Sequence, residues 1–151
     1  MDPIQDISEL NRGDVIHHPA LGFAVVDQLD AHSARLAWEE AGARLPPMVS
    51  AELLAKGYRR CVPGGFFHRS VVEKESIREV VETEPSHALG LLLDDLNAEQ
   101  GRADIRDWMT GRKLMNGAHF DRWWETVATA SEEANLKWSE GHRRVSLSNG
   151  G

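Results

Sequence analysis

The 151 residues predict an α+β protein, with a small β-barrel over residues 1–69 followed by a compact helical domain over 70–151. Two observations carry this. Five of the six prolines, together with short runs of β-branched and aromatic residues, fall before Ser70. Beyond Ser70 the apolar residues recur at helical spacing and only Pro85 interrupts them.

Asp14 to His18 reads as the first strand, ended by Pro19. Gly22 to Leu29 reads as the second. Asp30 and Ser33 are turn formers in the polar stretch that follows it. Ser33 to Trp38 alternates, with Ala34, Leu36 and Trp38 on one face. Ala41-Gly42 is a turn, and Arg44 to Val49 is a fourth strand that Pro46-Pro47 demotes to an edge or a bulge. Ser50 caps a short helical turn over Ala51 to Lys56, closed by Gly57. Tyr58 to Val62 is the last strand. Five short strands in so short a stretch suit an SH3/Tudor-like barrel.

Ser70-Val-Val-Glu73 has the spacing of a capping box and predicts a helix to about Glu82. Pro85 suits the first turn of the next helix, where its missing N–H costs nothing. Ala88, Leu89, Leu92, Leu93 and Leu96 form the stripe of that helix. Gly101 separates it from a helix with Ile105, Trp108 and Met109 on one side. Asn116-Gly117 is a loop. Phe120, Trp123, Trp124, Val127 and Ala128 define a last helix reaching Lys137, and Arg143 to Leu147 alternates as a short strand. Helices followed by a strand also permit a winged-helix-like shape.

The formal net charge is −7, from 17 Lys+Arg against 24 Asp+Glu. An acidic balance argues against a generic nucleic-acid binder. One cysteine, Cys61, excludes an internal disulfide and fits a reducing, cytoplasmic setting. Neither a membrane span nor a signal peptide is visible, so no membrane partner is expected.

The chemistry-bearing residues form no catalytic constellation. His17 and His18 are strand neighbours on opposite faces and do not chelate one ion together. Cys61 with His68 lacks a second ligand pair, so Cys61 is read as a small buried apolar residue. Gly-x-Ser-x-Gly, the phosphate loop and His-Glu-x-x-His are absent. Asp94-Asp95 and Glu132-Glu133 diverge by about 100° on a helix, which suits a solvated face. Gly65-Phe66-Phe67 reads as a staple between barrel and first helix, with an exposed apolar patch as the alternative. Phe23, Trp38 and Tyr58 could line an aromatic cage. Arg59-Arg60 and Arg143-Arg144 are small basic spots. No catalytic residue, metal or cofactor is expected.

Gly13-Asp14-Val15-Ile16-His17-His18-Pro19-Ala20-Leu21-Gly22-Phe23-Ala24-Val25-Val26 resembles the opening of CarD-type RNA-polymerase-interacting domains. The shared pattern is Gly-Asp, two β residues, a polar residue, His-Pro, two residues, Gly and a β run. Ala24 departs from it, standing where the family often has a second Gly. Pro85, Ala88-Leu89, Leu92, Ile105 and Phe120-Asp-Arg-Trp-Trp124, with Gly141 to Val145 after them, resemble the helical region of long GreA-like elongation factors. The basic DNA-contacting region of CarD proteins and the coiled-coil hairpin of Gre factors have no counterpart here, so transcript cleavage is not expected.

The resemblance implies a non-enzymatic bacterial transcription module that docks on the RNA polymerase β subunit by pairing a barrel strand with a partner strand. Val15, Ile16, His18, Pro19, Gly22, Phe23, Val25 and Val26 are the expected protein-binding residues. A second reading is a nucleic-acid binder using Arg102, Arg106, Arg112, Arg143 and Arg144. A third is an adaptor in a signalling or defence complex.

Overall fold

The computed structural model describes residues 1–40, 42, 45–130, 136–141 and 143–147. The chain divides into two compact units, Met1–Val72 and Glu73–Gly151. Together they make an α+β protein with six α-helices among the described residues.

The first unit contains β1 (Asp2–Pro3), β2 (Val15–His18), β3 (Gly22–Leu29), β4 (Ser33–Trp38), β5 (Met48–Ser50), α1 (Ala51–Gly57), β6 (Arg59–Arg60) and α2 (Phe66–Val72). Its strands form one antiparallel sheet in the order β1-β6-β2-β3-β4-β5. The sheet stays open, which corrects the closed barrel that the strand count predicts. The terminal strands are too short to complete a ladder, and Pro3 withholds a donor on one of them. Pro46 and Pro47 limit the predicted fourth strand to its last residues. They serve as acceptors instead: Trp38 Nε1 donates to the Pro46 carbonyl (2.8 Å) and the Leu36 N–H to the Pro47 carbonyl (2.8 Å). Arg44 and the Ala41 half of the predicted turn lie outside the described residues.

One face of the sheet buries Ile16, Ala24, Val26, Ala34, Leu36 and Val49 with Leu54 and Tyr58. A bulge at Asp27 shifts the pairing from Val26↔Leu36 to Gln28↔Arg35, so Leu29 returns to the core side. The opposite face of β2 and β3 is covered too. Val15 and Phe23 are buried there, and Phe23 stacks on Phe67 at 5.4 Å. Phe66 and Phe67 thus open α2, and Ser70 lies within that helix, with its hydroxyl donating to the Phe67 carbonyl. The predicted capping box at Ser70 is therefore wrong: aromatic burial starts the helix four residues earlier.

The second unit contains α3 (Lys74–Thr83), α4 (Pro85–Leu96), β7 (Gln100–Gly101), α5 (Arg102–Gly111), α6 (Gly117–Thr129), β8 (Leu136–Ser139) and β9 (Arg144–Leu147). The strands pair antiparallel in the order β7-β9-β8. Ala88, Leu89, Leu92 and Leu93 of α4 are buried, as are Ile105 and Met109 of α5. Phe120, Trp123, Trp124 and Val127 of α6 complete this core. The last helix ends at Thr129, not at Lys137. Lys137 pairs with Ser146 in the β8–β9 hairpin, which places Trp138 edge-on to Trp124 at 5.4 Å. Cross-strand pairing there prevails over helical periodicity.

At the α3–α4 junction one gap is filled from a distance. The Val81 carbonyl would accept from residue 85, but Pro85 has no N–H. Trp123 Nε1 donates to it instead (3.0 Å).

Candidate docking surfaces

The Gly13-to-Val26 motif folds as a hairpin, and its signature residues build that hairpin. The Asp14 carboxylate accepts from the Asn11 N–H (2.8 Å), and the Gly13 N–H donates to the Val26 carbonyl (2.8 Å). His18 pairs with Gly22, and His18 Nδ1 accepts from the Ala20 N–H (3.1 Å). Gly22 adopts φ +97°, an angle that glycine takes without the steric cost a side chain would bring.

This arrangement relocates the predicted docking edge. β2 lies between β6 and β3, and β3 lies between β2 and β4. Neither has a free backbone edge for a partner strand. Val15, Ile16, Phe23 and Val26 are buried, Val25 is half-buried beside Val15, and His18 and Gly22 are half-buried in the hairpin. Pro19 is exposed at the hairpin tip.

The open edges are β1 and β5. In the β4–β5 ladder the Leu36 N–H donates to the Pro47 carbonyl and the Ala51 N–H to the His32 carbonyl. Antiparallel alternation then turns the Met48 N–H and carbonyl and the Ser50 N–H away from β4. The Met48 side chain is 54% exposed, and Leu53, on α1 just beyond, is 56% exposed. The Ser50 hydroxyl accepts from the Leu53 N–H (3.3 Å), so cap and edge are continuous. Sequence reasoning passed over Met48 and Leu53; the double proline before Met48 was the available signal.

The aromatic cage does not assemble. Trp38 and Tyr58 stand 6.3 Å apart on the core side, whereas Phe23 is on the α2 side. His17 lies 4.4 Å from Phe23 and His18 4.9 Å from Tyr58, on opposite faces. Cys61 is buried. Among the described residues no group of three or more His, Cys, Asp and Glu could hold a metal ion. Asp95 is buried rather than on a solvated face, and Glu132-Glu133 lies outside the described residues.

The five arginines expected to touch nucleic acid do not form a free basic surface. Arg102 Nη2 meets Asp121 Oδ1 at 2.6 Å, and its guanidinium lies 5.3 Å over the Phe120 ring. Arg144 pairs with Glu99 (3.5 Å). Arg112 is only 6% exposed. Arg106 lies so close to Gly117 that a Cβ there would overlap its guanidinium. Arg143 is exposed in the β8–β9 turn.

No family model, curated protein or solved structure matches the chain.

Proposed function

We propose that the chain is a non-enzymatic protein-docking module that accepts a partner strand along β5. The observation that carries this is the outward-facing backbone of Met48 and Ser50, flanked by the exposed side chains of Met48 and Leu53. An edge of this kind supplies backbone hydrogen bonds for affinity, and the neighbouring side chains select the partner. The CarD-type resemblance of residues 13–26 names the partner class for this reading, the β subunit of bacterial RNA polymerase. The test is binding of purified polymerase to the immobilised chain. Capture is expected for the wild type and lost in Met48→Lys, because a charged edge residue blocks strand addition. Equal capture by both rejects the β5 edge. No capture by either rejects polymerase as the partner.

A second reading rests on the order of the second unit. α4-β7-α5-α6-β8-β9, with sheet order β7-β9-β8, follows the helix-strand-helix-helix-hairpin plan of winged-helix domains. In that plan α6 would be the groove-reading helix. Its exposed side carries Asp121, Arg122 and Glu125, and Arg102 is already committed to Asp121. The charge pattern favours a protein over a duplex at this surface. Duplex DNA binding measured against salt concentration separates the two.

A further inference from the structure

We infer, on the β5 docking reading above, that the accepted strand is acidic and places a carboxylate opposite Met48 that pairs with Arg35.

The register fixes which side chains share a face. Gln28 pairs with Arg35 and Arg35 pairs with Met48, so the three form one row across β3, β4 and β5. Directly paired residues project to the same side of a sheet, and all three are exposed. A cavity of about 290 Å³ opens along this row, lined by Gln28, Arg35 and Met48 with Asp30 and Ser33 beside them.

A strand added to β5 extends the row by one residue. The Met48 N–H and carbonyl face outward, so an antiparallel partner exchanges two backbone hydrogen bonds with Met48. The partner side chain at that position joins the face of Met48 and Arg35. Two strand spacings, about 10 Å, separate its backbone from that of Arg35. An arginine and a glutamate reaching toward each other span that gap.

The charges along the edge set the sign. Arg35 has no ion pair among the described residues. Asp30 lines the same cavity, but its oxygens already accept from the His32 N–H (2.7 Å), the Ser33 N–H (2.9 Å) and the Ser33 hydroxyl (3.2 Å). The other end of the edge is acidic, because Ser50 caps α1 and Glu52 is exposed in its first turn. The edge therefore presents a cation at its Met48 end and a carboxylate at its Ser50 end. An acidic partner residue is drawn to the first and repelled from the second, which favours one register as well as one sign. This preference runs against the charge of the whole molecule. A chain of net charge −7 attracts cations over its surface, so a preference for an anionic strand at β5 has a local cause.

The test is an amide NMR titration of the full chain at low salt, where exposed charges are least screened. The probes are the blocked peptide Thr-Val-Glu-Val-Thr and its counterparts with glutamine or lysine at the centre. Saturable shifts at Met48, Val49 and Ser50 are expected, tightest for the glutamate peptide and weakest for the lysine peptide. Glutamate should bind roughly two- to fivefold tighter than glutamine, the worth of an exposed ion pair. Arg35→Gln should abolish that difference. Arg59→Gln removes the same charge on β6, three strands from β4, and should preserve it. Spectra of the free variants that change only around the substitution establish that each is folded. Equal binding of the three peptides at β5 would keep the docking edge and overturn the acidic partner. Tighter binding of the lysine peptide, or a glutamate preference that survives Arg35→Gln, would overturn it as well. Absence of shifts at β5 with every peptide would remove the docking edge itself, and the acidic partner with it.

Discussion

Trp123 does two things at once. Its ring fills the core of the second unit, and its Nε1 supplies the Val81 carbonyl with the donor that Pro85 cannot provide. Trp123→Phe keeps most of the apolar volume and removes the donor, leaving a buried carbonyl unsatisfied. A loss of about 1–3 kcal/mol is expected, read from denaturant unfolding. Asp30 and Asp6 work at the surface. Asp30 Oδ1 accepts from the His32 N–H (2.7 Å) and the Ser33 N–H (2.9 Å), and these bonds hold its carboxyl below the usual carboxylate range. The Ser8 N–H does the same for Asp6. Because the folded pKa is depressed, the stabilisation is fully present above the unfolded value of about 3.9 and disappears as pH falls through the lower folded value. Thermal melts of Asp30→Ala should therefore show a lower Tm at neutral pH and a shallower decline on acidification than the wild type.

At the scale of elements, caps and edges matter more than propensity. α1 has only seven residues, a length at which a helix depends on its ends and its packing. Ser50 caps it and Leu54 anchors it in the core. Ser50→Ala should cost about 1 kcal/mol by thermal or denaturant unfolding. The same substitution should weaken docking along β5, because Ser50 is both the cap of α1 and the last residue of the edge. β2 and β3 were legible as short runs of β-branched and aromatic residues bounded by turn residues, and β4 because it alternates. Gly22 to Leu29 and Ser33 to Trp38 match the strands residue for residue. The Ser70 box was misread because Phe66 and Phe67 bury against the sheet, a tertiary contact that overrides a local four-residue pattern. The last strand, read over Tyr58 to Val62, is present as β6 with only Arg59–Arg60, and β1 has two residues, too few to show any periodicity.

At the scale of the whole molecule, charge decides which partners are plausible. Of the five arginines considered for nucleic acid, Arg102 and Arg144 hold ion pairs and Arg112 is buried. Duplex DNA titrated at low salt should bind no more tightly than ordinary non-specific contacts, roughly 10⁻⁴ to 10⁻⁶ M. Its salt slope should be shallow, since Arg102 and Arg144 are engaged by carboxylates and Arg112 is buried. A steep slope would instead show that these ion pairs open to release their arginines. No helix among the described residues is long and apolar enough to cross a membrane.

The sequence by itself determined the local devices of this protein. These are the hairpin turn with Gly22 at positive φ, the Ser50 cap, Pro85 at a helix start, and the apolar stripes of α4 and α6. Each depends on residues a few positions apart, whose sterics and hydrogen bonds are complete within one turn or one hairpin. Only the tertiary structure decided which strands are edges and which arginines are paired or buried. β6 reaches β2 across more than forty residues of chain and turns a predicted edge into the middle of a sheet. Asp121 takes Arg102 from nineteen positions away. Such outcomes are set by long-range packing, where burial of the whole core outweighs any local preference.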